Sequence, residues 1–300
     1  MVSRYCLIVH PTSYRYVSAV ADYIYSQLKR HSPVEVDFTL SPDLDSLEDG
    51  KHSIVFVIGD PFRSFFRRPG VRYIFFNFSL LYALGPTARS SRAARQWIER
   101  KHELFAAKIH LYDYVLDYFP AQAEKLSHEF GTPVDAFPVG LCDDAYSRAF
   151  ERSYDVCIVG ARTPRRIVME RRLSRLGFRL TPATGVRLED MAARSKVVLN
   201  VHAYRTSNIE YARIVSALLS GAILVTEPSP GMADSFPENL YVSASYTNIA
   251  RSVRSVLDDA TLMKKMGSEG AAWTRLFYLP ACDALWATVL PRVYSRVGID

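Results

Sequence analysis

The chain has 300 residues, a formal charge of +6, 49% hydrophobic and 23% charged residues. That is enough chain to bury a full core, and its length is a prior for two domains. Ordinary hydrophobicity excludes a disordered or collagenous chain, and the positive excess favours anionic partners without choosing among them.

Tyr5–His10 reads as a short buried strand. Pro11-Thr12-Ser13 reads as a turn, and Tyr16–Lys29 as an amphipathic helix with Val17, Val20, Ala21, Ile24 and Leu28 on one face. Val34–Leu40 alternates, His52–Ile58 is a fully apolar strand before Gly59-Asp60-Pro61, and Arg72–Phe76 follows a basic loop. Helices are expected over Gln96–Lys108 and Gln122–Phe130, with strands at Tyr114–Leu116 and Ala136–Val139. Strands alternating with helices describe a parallel sheet with crossover helices.

A polar stretch, Asp143–Ser153, reads as a linker. Beyond it come a strand (Tyr154–Val159), Gly160, a helix from Arg165 to Leu176, a strand at Phe178–Thr181 and a short helix over Leu188–Ala193. The most informative stretch is 195–231: an apolar strand to Val201, a helix from about Asn208 to Ser220, Gly221, and a second apolar run, Ala222 to Val225. Leu240–Val242 is then a strand, and Ile249–Leu257, Ala260–Gly267 and Cys282–Val297 are helices. The expected fold is α/β, with two tandem Rossmann-like domains. The boundaries are 1–145 for the first domain, 146–280 for the second, and 281–300 for a helix returning to the first. A cleft between two such halves is a preferred small-molecule site.

Cys6, Cys142, Cys157 and Cys282 show no metal or redox spacing and read as buried thiols of a reducing compartment. No apolar stretch reaches membrane-span length and no signal peptide is read, so a cytoplasmic protein is expected.

In doubly wound sheets, ligands bind at the carboxyl ends of strands and at helix N-termini. Gly160, at a strand end before a helix, has the geometry of a phosphate cradle, and Arg162, Arg165 and Arg166 add guanidinium forks; a solvated helix face explains the same arginines. Glu210 and Arg213, three apart on one helix, can share a face. Glu210 suits the helix dipole, or accepts the ribose hydroxyls of a nucleotide. His202 ends a strand and can donate to a phosphate, or is structural. The Glu227-to-Gly231 loop can turn backbone amides to a phosphate. In the first half, His10 and Asp60 end strands; Asp60 is a candidate general base or a turn residue before Pro61. The run Arg63–Arg68, with Arg89, Arg92 and Arg95, can bind nucleic acid, line an acceptor groove or be an ordinary basic loop.

Asn200-Val-His202, Glu210, Arg213-Ile-Val-Ser-Ala-Leu-Leu-Ser-Gly-Ala222 and Val225-Thr-Glu227 together resemble the donor-binding half of GT-B glycosyltransferases of bacterial and viral type. Tyr154–Gly160 with Arg165-Arg166, Tyr73–Asn77, Phe137–Gly140 and a last helix after Pro280 extend the resemblance. It implies hexosyl transfer from a nucleotide-diphosphate sugar, such as a UDP-sugar, to an acceptor hydroxyl. The acceptor would be a glycan, a small molecule or modified DNA; no cofactor and no bound metal are implied. Glu210 would hold ribose or sugar hydroxyls, and Arg165, Arg166 or Arg213 would neutralise the diphosphate. Ser216 stands where many retaining members carry a second glutamate, and Phe78-Ser79 replaces an expected Leu-Glu, so stereochemistry and acceptor contacts stay open. The alternatives are a non-catalytic nucleotide- or sugar-binding protein of the same fold and a DNA-base glycosyltransferase using its basic surface.

Overall fold

A computed structural model describes residues 4–59, 66–79, 81–82, 92–146, 150–203 and 209–298. The chain divides into two compact units: the described parts of 1–82, 96–140 and 281–300 form unit 1, and 141–280 form the body of unit 2.

Unit 1 runs β1 (Arg4–Val9), α1 (Pro11–His31), β2 (Val36–Leu40), β3 (His52–Ile58), β4 (Arg72–Asn77), α2 (Arg92–Ala106), β5 (Tyr114–Asp117), α3 (Pro120–Phe130) and β6 (Val134–Ala136). The strands form one parallel sheet in the order β2-β1-β3-β4-β5-β6. The chain steps from β1 outward to β2, then crosses to the other side of β1 for β3. The carboxyl ends of β1 and β3 therefore flank the point where strand order reverses, the usual ligand position in open α/β sheets. His10 follows β1 there. Gly59 follows β3 with φ +136°, and a Cβ on it would lie 2.7 Å from the His10 Cβ.

Unit 2 runs β7 (Tyr154–Cys157), α4 (Pro164–Arg175), α5 (Leu188–Ala193), β8 (Ser195–Asn200), α6 (Tyr211–Leu219), β9 (Ile223–Thr226), α7 (Met232–Ser235), β10 (Tyr241–Ser243), α8 (Ile249–Leu257) and α9 (Ala260–Trp273). A π-helical turn, Thr274–Tyr278, leads into α10 (Leu279–Arg296). The sheet is parallel in the order β10-β9-β8-β7, and Leu180 bridges Val156 in parallel. Counting that bridge, which lies on the side of β7 away from β8, the chain order reverses between β7 and β8. Val156, Val197, Leu199, Ile223 and Val225 bury the strands against Met169 and Leu173 of α4 and Ile249 and Val253 of α8.

Several element ends differ from the sequence reading. Pro11-Thr12-Ser13 is the first turn of α1: proline suits the first helical position, and His10 Nδ1 accepts from the Thr12 amide. The strand expected at Ala136–Val139 is β6, three residues earlier in its end, because Pro138 has no amide to pair. Phe178–Thr181 contributes one isolated bridge in place of a strand. The helix expected from Asn208 starts at Tyr211, with Glu210 in the capping position at φ −91° and ψ 72°; Asn208 lies outside the described residues. Cys6, Cys157 and Cys282 are buried as expected, but Cys142 is partly exposed, since it sits in a connection and not in a strand. No helix among the described residues is long and apolar enough to cross a membrane.

The last helix completes unit 1. Trp286 is fully buried, its ring 6.0 Å from Phe76 and 5.8 Å from Phe137, and its Nε1 donates to the Pro138 carbonyl at 3.2 Å. Asp283 accepts from Tyr23 Oη (2.8 Å), Gln27 Nε2 (2.8 Å) and Arg30 Nη1 (2.7 Å), all on α1.

Asp117, fully buried at the end of β5, accepts from Asn77 Nδ2 (2.6 Å), Gln122 Nε2 (2.8 Å) and the Phe119 amide (2.7 Å). Burial nevertheless outweighs these donors and pushes its pKa up to about 6. Between the unfolded value of 3.8 and about 6, the folded chain binds the extra proton, so its stability falls as pH rises through that window. Relative to an Asp117→Asn variant, the wild type is expected to lose about 2 kcal/mol between pH 4 and pH 7. Urea unfolding of both proteins at each pH checks this, and a difference independent of pH refutes it.

Candidate functional site

The unit 2 site is built at the carboxyl ends of β7, β8 and β9. Asn200 at the end of β8 is in register with Thr226 at the end of β9. That register sets the next residues of the two strands side by side. Glu227 follows Thr226, and its Oε2 accepts from the His202 amide at 2.9 Å. Its Oε1 accepts from Arg165 Nη2 at 2.6 Å, while Arg165 Nη1 donates to the His202 carbonyl at 3.0 Å. The Arg165 guanidinium lies 4.5 Å from the centre of the Tyr246 ring, and Tyr246 Oη donates to the Arg165 carbonyl at 2.8 Å. Arg165 is thus held from three sides, and its side chain keeps 20% exposure. His202 Nε2 lies 3.0 Å from Ser229 Oγ.

Glu210 is the second centre. Arg166 Nη2 donates to both its oxygens, at 2.8 and 3.1 Å, and Arg213 Nη1 donates to Oε2. Arg166 also donates through Nε to the Val201 carbonyl (2.8 Å), and Arg213 to Asn200 Oδ1 (2.7 Å) and the Val159 carbonyl (3.2 Å). Both arginines are buried. One carboxylate therefore ties the ends of β7 and β8 to the starts of α4 and α6. Burial drives the Glu210 pKa upward, but Arg213, Arg166 and His202 outweigh it and hold the carboxyl below its usual range. Glu210 stays ionised and a quarter exposed, with about one of its four lone-pair sites, on Oε1, left for a hydroxyl donor.

Gly160 is required by this packing. Its φ is +138°, and a Cβ would come within 2.8 Å of both Arg166 Nη1 and Arg213 Nη2. Arg162 pairs with Glu170 on α4 at 3.0 Å and is half exposed. Gly231, with φ +76°, precedes the short helix α7.

The structure brings Gly160, Arg165, Arg166, His202, Glu210 and Arg213 together. Arg162 is turned to Glu170, and Asp60 lies outside the described residues. His10, in unit 1, accepts from the Thr12 amide at Nδ1 (3.2 Å), and burial lowers its pKa. A neutral imidazole accepting at Nδ1 carries its proton on Nε2. Residues 63–65 and 89 are also undescribed; Arg67 is paired with Asp113 (2.6 Å) and Arg68 with Asp49 (3.1 Å), so neither is a free cation for nucleic acid. Among the described residues no three His, Cys, Asp or Glu side chains gather as metal ligands.

The sequence reading does not single out Tyr246 and Thr163, and it gives Glu227 and Ser229 a role only through the backbone of their loop, whereas the structure engages the side chains of Glu227, Ser229 and Tyr246. Thr163 caps α4 before Pro164, a helix-start signal, and its buried Oγ1 has no hydrogen-bond partner.

No family model and no curated protein sequence matches the chain. Solved structures do. A sucrose-phosphate synthase from Thermosynechococcus elongatus aligns over 98% of this chain and 99% of its own, with TM-score 0.58 and 10% identity. HepE of Anabaena, solved with UDP-glucose, aligns over 96% and 99%, with TM-score 0.58 and 11% identity. T4 phage BGT, solved with its UDP-glucose substrate, aligns over 96% and 98%, with TM-score 0.56 and 10% identity. TarM aligns over 76% of this chain but only 52% of its own length, with TM-score 0.53 and 12% identity. These are GT-B glycosyltransferases, and the chain has their fold: two α/β units with parallel sheets.

Gly160→Ala is expected to displace the two guanidinium groups and to cost about 1–3 kcal/mol. Urea unfolding measures it; a variant as stable as the wild type would show that the loop yields freely.

Proposed function

We propose that the chain is a glycosyltransferase that moves a sugar from a nucleotide-diphosphate sugar to an acceptor hydroxyl. The observation that carries this reading is the ionised Glu210, clamped by two buried arginines at the strand-order reversal of unit 2, with Arg165 beside it. The GT-B fold, shared with structures solved around UDP-glucose, supports it; fold alone does not fix a reaction.

In the proposed reaction the acceptor oxygen bonds to the anomeric carbon as the bond to the diphosphate breaks. The diphosphate leaves with the electron pair, and the acceptor proton passes to a base. Glu210 accepts from donor hydroxyls. Arg166 and Arg213 act through it: they keep it charged and aimed, and their own forks are already committed. The developing charge on the diphosphate is assigned to Arg165, whose pre-set guanidinium needs little reorganisation. The base is assigned to Asp60. His10, a donor at Nε2 in the tautomer described, suits an acceptor hydroxyl as a hydrogen-bond partner.

Incubation with uridine, guanosine, adenosine and thymidine diphosphosugars plus acceptor panels, with readout of released diphosphate, tests the reading. Arg165→Ala is expected to lower kcat/KM about 10²–10³-fold. Glu210→Gln is expected to weaken donor binding at least about tenfold by calorimetry, or ~1.4 kcal/mol. Removing the charge also leaves two buried guanidiniums short of a partner, so a stability loss of about 3 kcal/mol accompanies it. Donor binding without diphosphate release over all acceptors would make the chain a binder of the same fold.

A further inference from the structure

A second cationic feature lies at the other end of α4. A groove of about 660 Å³ between α4 and α8 is lined by Arg172, Arg175, Arg251 and Arg254, with Leu176 and Ala250 among its apolar lining. Nine residues of helix separate Arg175 from Arg166, or about 13 Å. The groove is therefore apart from the strand ends where Glu210 sits.

Four guanidinium groups on adjacent helices repel one another unless something answers their charge. Two are anchored by neutral acceptors. Arg172 Nη1 donates to the Thr247 carbonyl at 2.8 Å, and Arg254 Nη2 to the Leu176 carbonyl at 2.9 Å while it lies 4.9 Å from the Phe178 ring centre. Neither acceptor neutralises them. Arg175 and Arg251 have no acidic partner among the described residues. One carboxylate, Asp258, lines the groove, and it forms no ion pair there. Each helix presents its two arginines three residues apart, one turn, so the four side chains form two facing pairs. The volume is in the range of small-molecule pockets. Planar guanidinium forks match phosphate oxygens bidentately.

We propose that this groove is a second anion site, taking a small ligand with a diphosphate-like group through Arg172, Arg175, Arg251 and Arg254. A concave surface lined by four exposed arginines, two of them without a hydrogen-bonded acceptor among the described residues to hold their heads, suits a compact multivalent anion. A bilayer surface is flat, and a long phosphodiester needs a stripe of charge continuing past the groove.

The test is calorimetric titration of the full chain with sodium pyrophosphate at low and at physiological salt. The double variant Arg175→Ala/Arg251→Ala is expected to lose at least tenfold in affinity for one class of sites, with its ligand-free thermal midpoint and circular dichroism unchanged. Arg165→Ala should leave that class intact, which separates this site from the Glu210 region whatever the latter binds. Arg175→Lys/Arg251→Lys keeps the charge but not the fork, and should retain part of the affinity. Unchanged pyrophosphate binding in the double alanine variant overturns the proposal. So does absence of pyrophosphate binding in the wild type. An oligonucleotide or phosphatidylglycerol vesicles bound by the wild type, released by the double variant and not displaced by pyrophosphate would make the groove a macromolecular docking surface instead.

Discussion

One carboxylate between two buried arginines organises unit 2. Burying a guanidinium is costly unless a counter-charge and acceptors meet it. Arg166 and Arg213 are met by Glu210, and by carbonyls from the ends of β7 and β8 that no longer pair within the sheet. The same contacts fix the loop at Gly160 and the start of α6. Local order at this edge therefore depends on an electrostatic knot, and the apolar core beneath it fixes only the strands.

That arrangement divides labour among the arginines. Closeness in the chain around the start of α4 makes Arg162, Arg165 and Arg166 look equivalent. In the fold they are not: Arg162, which precedes α4, is turned to Glu170 of that helix, Arg166 is buried beneath Glu210, and Arg165 alone keeps both a rigid mount and exposure. The rigid mount comes from Tyr246 and Glu227, residues 62 or more positions away in the chain.

How much of this was legible follows from what each feature needs. The central strands β1, β3, β8 and β9 are nearly continuous apolar runs, as covered parallel strands must be, and they read directly, whereas the short β6 is displaced from its expected span and Phe178–Thr181 forms no strand. Glu210 with Arg213 reads from helical spacing. The resemblance to GT-B proteins agrees with the fold found. The Glu227–His202 contact could not be read, because it exists only once β8 and β9 are adjacent and in register. The inward turn of Arg166 is a rotamer choice made by packing. Helix starts slipped at Pro11, where proline suits the first helical position, and at Glu210, whose backbone leaves helical geometry with its carboxylate held by Arg166 and Arg213.

The seating of Trp286 and Asp283 bears on how the chain assembles as it is made. The body of unit 2, residues 141–280, is a contiguous stretch, and all of it leaves the ribosome before Trp286 does. Unit 1 begins first yet finishes last: its sheet waits with Phe76 and Phe137 unroofed until residues beyond 281 emerge. During that interval the nascent first unit leaves an aromatic surface exposed to water.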